Sequence, residues 1–282
     1  MLTTSRIRQV VEAALQEDAP TGDISCAYVI DANMQGAAQL VAREAGVMSG
    51  MAVFEAAFKL ENPQIEVSEH FVDGGAFAAG QVLAQVSGAV GDILTAERVA
   101  LNFIQRMSGI ATLTAAFVAA VGPYPAHIVD TRKTTPGLRD FEKYAVTCGG
   151  GFNHRQGLSD AVMLKDNHLA ALSSNGQSIT QAIKHIRSRI GHTTHIEVEI
   201  DRLDQLEEVL RGEPDTIMFD NFSTEDLARG VRRVAGRTLV EASGNMSLSR
   251  VPEVAHTGVD LISVGALTHS VRSIDLGLDW LG

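Results

Sequence analysis

After Gly122-Pro123-Tyr124-Pro125 the chain settles into a rhythm of short apolar runs separated by helical segments. The runs are His127–Val129, Ala161–Leu164, Ile196–Ile200, Thr216–Phe219, Leu239–Val240 and Leu261–Val264. Strands that alternate regularly with helices pair in parallel, because each helix carries the chain back to the end of the sheet where the next strand starts. The runs therefore predict an α/β fold with about six parallel strands, closed or nearly closed into a barrel and fewer than a complete (β/α) barrel holds. No internal repeat or low-complexity tract interrupts the pattern.

The first half reads differently. Ser5 to Glu17 forms an amphipathic helix, with Ile7, Val10, Val11, Ala14 and Leu15 on one side, and Asp18-Ala19-Pro20-Thr21-Gly22-Asp23 ends it. From Met34 to about Val90 short β-like runs and many glycines predict a small β-rich domain. Phe71–Gly75 and Ala79–Gly88 are similar to the half-barrel of biotinyl or lipoyl carrier domains. Such carriers present a modifiable lysine at a hairpin tip, and no lysine lies between Leu60 and Arg132, which argues against a carrier role. Leu94 to Ala120 reads as a helix. Its apolar part from Leu101 to Val121 is broken by Asn102, Gln105 and Arg106, and the run beyond Arg106 is shorter than the ~20 apolar residues a bilayer span needs. It reads as a buried helix, not a membrane span.

At 282 residues the chain exceeds one small core, so one large domain or two are expected. It has 23 Lys+Arg against 34 Asp+Glu, a net charge of -11, which disfavours a broad nucleic-acid surface. Any anionic ligand must then be held by a local cationic pocket. Two cysteines, Cys26 and Cys148, do not make a disulfide framework and fit a reducing cytoplasm. Cys148 reads as a small filler in a tight turn, since no motif sets a base beside it. Glu12, Glu17 and Asp18 interrupt any secretory h-region, so the sequons at Asn221 and Asn245 read as chance matches.

Each apolar run ends in chemistry-bearing residues. The endings are Asp130-Thr131-Arg132-Lys133, Lys165-Asp166-Asn167-His168, Glu199, Asp220-Asn221, Glu241-Ala242-Ser243-Gly244-Asn245 and Gly265-Ala266. In α/β barrels the C-terminal strand ends carry the active site. Arg132, Lys133, His154, Arg155 and Lys165 form a cationic group suited to carboxylate and phosphate. Glu199 and Asp220, on adjacent strands, form an acidic pair whose hard oxygens suit Mg²⁺; ion pairing or capping would account for them equally well. Ser243-Gly244-Asn245 and Gly265-Ala266-Leu267-Thr268 follow the last two strands, where barrels often bind phosphate through backbone N–H groups. Ile128 to Thr135 partly matches the diphosphate motif of type I phosphoribosyltransferases but has Thr131 where the second acid belongs. Walker, G-x-G-x-x-G, H-E-x-x-H and G-x-S-x-G motifs are missing.

Taken in order, several motifs together are specific. They are Asp130-Thr131-Arg132-Lys133-Thr134, Gly149 to Arg155, Lys165-Asp166-Asn167-His168, Glu197-Val198-Glu199, Asp220-Asn221-Phe222, Glu241-Ala242-Ser243-Gly244 and Val264 to Ser270. With Glu17 to Asp23 and Arg98, they make the chain resemble the quinolinate phosphoribosyltransferases from Glu17 almost to the C-terminus. The resemblance implies an N-terminal α/β sandwich over residues 1–108, an open α/β barrel over 109–270, and a tail, 271–282, packed back on the sandwich. It implies transfer of phosphoribosyl from phosphoribosyl diphosphate (PRPP) to quinolinate with decarboxylation, giving nicotinate mononucleotide for NAD biosynthesis.

By carry-over, Arg98, Arg132, His154, Arg155 and Lys165 would bind quinolinate. Lys133, Lys165, Ser243, Gly244, Gly265 and His269 would contact PRPP. Glu199 and Asp220 would position Mg²⁺, and Lys133, Lys165, Glu199 and Asp220 would be the catalytic set. The family works as a homodimer with a shared site, so Arg98 would reach the neighbouring subunit; no nucleic acid or membrane is implied. A paralogue with another acceptor, nicotinate or that of a molybdenum-transport-associated relative, would keep the phosphate loops. It would not need the whole cationic set.

Overall fold

The computed structural model describes residues 2–281. The chain begins with α1 (Thr4–Asp18), α2 (Ile24–Val29), β1 (Gln35–Ala42), β2 (Gly46–Val47), α3 (Met51–Glu61), β3 (Glu66–Glu69), β4 (Ala76–Phe77), β5 (Val82–Ala89) and α4 (Val90–Val121). It continues with β6 (His127–Val129), α5 (Arg139–Cys148), β7 (Val162–Leu164), α6 (Asp166–Ser174), α7 (Ile179–Arg187), β8 (Ile196–Ile200), α8 (Leu206–Leu210) and β9 (Thr216–Asp220). It ends with α9 (Thr224–Val234), β10 (Leu239–Ser243), α10 (Val251–His256), β11 (Leu261–Ser263), α11 (Ala266–His269) and β12 (Leu276–Trp280).

These elements form two compact units. One comprises residues 1–115, 135–150 and 270–282, the other 116–134 and 151–269. The family resemblance implies a boundary after residue 108, with the tail, 271–282, returning to the first part. The units follow no single cut, because α5 groups with the first one. Its buried Glu142 accepts from the Arg106 guanidinium at 2.7 Å and from the Thr135 amide at 3.0 Å, and its Tyr144 hydroxyl donates to Asp73 at 2.7 Å.

The first unit is built on an antiparallel sheet in the order β12-β1-β5-β3. Leu40 stands opposite Ala84 on one neighbour and Leu278 on the other, and Ala38, Leu40 and Ala42 alternate into the core. The glycine-rich stretch similar to a carrier half-barrel is split here: β4 pairs with β2, while β5 joins β1 and β3. Helix α3 starts at Gly50, whose φ of 103° favours glycine, and the Asp73 carboxylate accepts its first amide hydrogens from Gly50 and Met51. Helix α4 is long and apolar enough to cross a membrane by composition, yet half of its most apolar window is buried in the protein. Ile93, Ala100, Ile104, Met107 and Ile110 supply that buried face.

The C-terminal residues close this sheet. Ile274 donates its amide to the Gln105 carbonyl, and a Cβ added at Gly109 would lie 2.3 Å from the Arg272 carbonyl oxygen. Only glycine lets α4 approach that backbone. Gly109→Ala should therefore push the tail strand outward and destabilise the protein by about 1–3 kcal/mol. Chemical denaturation would show this as a lower midpoint with an unchanged slope.

The second unit carries one parallel sheet in the order β6-β11-β10-β9-β8-β7. The six expected strands are present, with β10 running on through Ser243 and β9 through Asp220. First and last strand are neighbours, so β6 and β7 are left as the two open edges. The glycine-rich stretch lies along the β6 edge: the Phe152 amide donates to Ile128 at 2.8 Å, and the Phe152 carbonyl accepts from Asp130 at 3.1 Å. Register sorts the side chains. Ile196, Val198, Ile217, Phe219, Val240 and Ile262 share one face and are buried. Phe219 packs on α9 where Gly230 leaves room, since a Cβ there would sit 2.3 Å from its ring. The opposite face carries Met163, Glu197, Glu199, Met218, Asp220, Glu241, Ser243 and Ser263.

Candidate active site

That polar face opens at the C-terminal strand ends into a cleft of about 470 Å³. Arg132 and Lys133 reach it from the loop after β6, His154 and Arg155 from the glycine-rich stretch, and Lys165 from the end of β7. Glu199, Asp220 and Ser243 line it from the ends of β8, β9 and β10. Eight residues expected from the sequence thus share one cavity. Gly244, Gly265 and His269 do not line it; Gly265 lies between the side chains of Lys133 and His269, a Cβ there coming within 3.0 Å of one and 3.1 Å of the other. Arg98 belongs to the first unit, exposed on α4.

The loops are held by hydrogen bonds that local sequence explains. Asp130 is fully buried, and its carboxylate accepts the His154 amide hydrogen at 2.8 Å, pinning the glycine-rich stretch. The Thr268 hydroxyl donates to the Lys133 carbonyl at 2.7 Å, tying the first barrel loop to the last. Asn221 has a φ of 59°, a conformation asparagine tolerates, and turns the chain from β9 toward α9, which Ser223 caps. Gly244 has a φ of 97° and presses on Asn221: a Cβ there would sit 2.2 Å from its side-chain oxygen. Arg250 joins the two loops by donating to Gly244 and Phe222 carbonyls, both at 2.7 Å.

The electrostatics are of two kinds. Burial first, then the positive charge of Arg132, pulls the Arg155 guanidinium below its ordinary value, so two like charges are held together facing the cleft. Lys165 is ion-paired with Glu199, and Asp220 accepts from the Asn221 amide at 2.7 Å.

Two acids to which sequence reasoning assigns no role stand beside His154. Glu197 and Glu241 are 3% and 1% exposed, and His154 Nε2 stands 2.8 Å from one carboxylate and 3.8 Å from the other. Burial and then the charge of Glu197 push the Glu241 carboxyl up to about 8. The signal for both acids was in the alternation of Glu197-Val198-Glu199 and Val240-Glu241-Ala242-Ser243, which aims every second residue at the barrel axis. Among the described residues these three side chains are also a set of metal-ligand type whose atoms converge. His154 and Glu241 also line the cleft, as Glu199 and Asp220 do, while Glu197 does not.

Glu241 makes a stability prediction. Its pKa is raised on folding, so its contribution is complete below about 4.5 and is lost as pH rises through about 8. Glu241→Gln removes the titration. The difference in Tm between variant and parent should shift in favour of the variant as pH is raised across that window. Parallel thermal melts at several pH values would show it; a constant difference would contradict it.

Comparison with known proteins identifies the fold's lineage. Residues 23–108 match the model of the quinolinate phosphoribosyl transferase N-terminal domain, and residues 110–279 that of its C-terminal domain. The chain belongs to the quinolinate phosphoribosyltransferase family. It is 40% identical to the probable nicotinate-nucleotide pyrophosphorylase [carboxylating] of Bacillus subtilis, over 97% of this chain and 93% of that one. It is 42% identical to the Mycobacterium leprae nicotinate-nucleotide pyrophosphorylase [carboxylating], over 96% of each. The crystal structure of NadC from Streptococcus pyogenes superimposes with a TM-score of 0.93 at 41% identity, covering 100% of this chain and 99% of the other. In this quinolinate phosphoribosyltransferase fold Arg132, Lys133, His154, Arg155 and Lys165 share one cleft with Glu199 and Asp220, while Arg98 and His269 do not line it.

Proposed function

We propose that the protein transfers phosphoribosyl from PRPP to quinolinate and decarboxylates the product, yielding nicotinate mononucleotide, CO₂ and diphosphate in NAD biosynthesis. The observation that carries this is the convergence of Arg132, Arg155 and Lys165 on the same cleft as Glu199 and Asp220. Quinolinate bears two carboxylates, and desolvating both requires more than one fixed cation. A monocarboxylate such as nicotinate would leave part of that set unneutralised.

The residues then divide the work. Arg132 and Arg155 hold and orient the dicarboxylate, with Arg155 braced by donation to the Ala161 carbonyl at 2.9 Å. Lys133, with Ser243 and the Gly244 and Gly265 turns and His269, receives the phosphates of PRPP. Lys165 neutralises negative charge between the two substrates, and binding would free it from Glu199. The pyridine nitrogen itself attacks the ribose carbon, so no general base is needed. Diphosphate leaves with the bonding electrons, and acidic side chains stabilise the positive charge on the sugar. Once ribose is attached, the ring nitrogen is cationic. Its positive charge stabilises the carbanion left on the neighbouring carbon when that carboxylate departs as CO₂, and a proton from solvent then forms the C–H bond at that carbon. Glu199 and Asp220 supply hard oxygens at the ends of adjacent strands bordering the cleft, a donor set that fits Mg²⁺. Bound there, the ion would stabilise the diphosphate leaving group.

We also infer a homodimer with a shared active site. Helix α2 supports this: Ile24, Tyr28 and Val29 are 71%, 86% and 79% exposed, and none of its residues is buried. Arg98, exposed on α4, is the residue proposed to reach the partner's cleft. The two unpaired cysteines suit a cytoplasmic protein.

Arg155→Ala should raise the KM for quinolinate by about 100-fold, the size expected for a lost charge-assisted bond, and change that for PRPP much less. Initial rates with each substrate varied in turn measure this. Mixed Arg98→Ala and Lys165→Ala subunits, each inactive alone, should regain part of the activity as heterodimers. Verified heterodimers without activity would contradict the shared site. Formation of CO₂ and nicotinate mononucleotide with quinolinate, but of no nicotinate mononucleotide with nicotinate, tests the acceptor itself.

A further inference from the structure

Three contacts converge on the dipeptide His154-Arg155. The Asp130 carboxylate accepts the His154 amide hydrogen at 2.8 Å, and the Glu197 carboxylate lies 2.8 Å from His154 Nε2. His154 Nδ1 accepts the Arg155 amide hydrogen at 2.7 Å. A ring nitrogen that accepts from a peptide N–H carries no proton, so the proton of the imidazole sits on Nε2 and is donated to Glu197. The ring is thus a neutral strut between a buried acid and the backbone of Arg155.

Glu197 suits the task of an anchor. It is 3% exposed, on the central part of β8, and its second oxygen has no hydrogen-bond partner among the described residues. Burying a carboxylate beside a second one, Glu241, is costly, and a neutral side chain of similar size would fill the space more cheaply. What the acid supplies is a fixed acceptor that selects one tautomer and one ring orientation. From there the order passes to the Arg155 backbone, and the guanidinium is clamped at its other end by the Ala161 carbonyl.

We propose that Glu197, acting through the Nε2–H tautomer of His154, is the positioning residue that sets Arg155 for the second carboxylate of the acceptor. The proposal rests on Arg155 being an acceptor-binding residue. It assigns Glu197 no contact with the substrate, and it predicts acceptor specificity: loosening Arg155 should weaken a dicarboxylate selectively.

The test compares Glu197→Ala, Glu197→Gln and Arg155→Ala in the full-length enzyme, with two readouts. In steady-state kinetics Glu197→Ala should raise the quinolinate KM by about 10- to 100-fold, as for a misplaced binding group, while the PRPP KM stays within about twofold. Glu197→Gln keeps an oxygen acceptor for Nε2–H and should restore the quinolinate KM. In long-range proton–nitrogen spectra of ¹⁵N-labelled protein, His154 should show the Nε2–H pattern in the parent and in Glu197→Gln. The pattern is read on the unaltered protein, so it stands even if Glu197→Ala does not fold. A His154 proton on Nδ1 in the parent overturns the proposal. So does a Glu197→Ala enzyme with the parent's quinolinate KM beside an Arg155→Ala enzyme whose KM is raised, and this leaves the acceptor site standing. If Arg155→Ala also keeps the parent's KM, the acceptor-site reading falls and takes the proposal with it.

Discussion

The alternation of side chains along parallel strands governs everything at this site. A β-strand turns successive residues to opposite faces, and the register of β8, β9 and β10 brings the same face of each strand to the barrel axis. The outward set is aliphatic or aromatic and packs under helices, as Phe219 does against Gly230. The inward set is mostly acidic or hydroxylic, with Met163 and Met218 among it. A parallel sheet with both faces buried ordinarily has two apolar faces. Here one of them is polar, so the barrel interior must be neutralised by cations brought in on loops.

That need explains the arrangement above the strands. Lys165 pairs with Glu199, and Arg132 and Arg155 face the same space with their like charges held together. The loops that carry them are fixed by buried or backbone partners. Asp130 holds the glycine-rich stretch, Thr268 holds the Lys133 backbone, and Arg250 joins the turns at Gly244 and Phe222. A cleft built this way has its charges oriented in advance, so in the proposed reaction a dianionic acceptor and a phosphorylated donor would replace existing protein–protein interactions instead of organising flexible side chains. The open edges at β6 and β7 belong to the same design. The sheet's first and last strands are neighbours, and Phe152 pairs along the free side of β6, which sets His154 and Arg155 beside the strand ends.

Within the first unit the governing features are backbone approaches and caps. Gly109 lets the tail come close to α4, and Asp73 serves both the start of α3 and the hydroxyl of Tyr144. The latter contact, with that of Glu142 to Arg106, explains why α5 groups with this unit although it comes after the first barrel strand in the chain.

Much of this was legible in the amino-acid order. Six apolar runs marked six parallel strands, because strand–helix alternation leaves few other pairings. Their polar endings marked Arg132, Lys133, Lys165, Glu199, Asp220 and Ser243, because strand ends in such sheets face a common cavity. Local pattern could not reach the rest. Whether Glu197 and Glu241 are solvated or buried depends on which strands are neighbours and in what register, and only the strand order of the sheet puts them beside His154. The partner of His154 Nε2 is a carboxylate 43 positions along the chain. The grouping of 135–150 with the first unit depends on partners at Asp73 and Arg106. Sequence determined the periodicities and the chemical inventory, which are local properties of the chain. Tertiary structure decided burial, pairing and protonation, because these are set by distances between residues far apart in the chain.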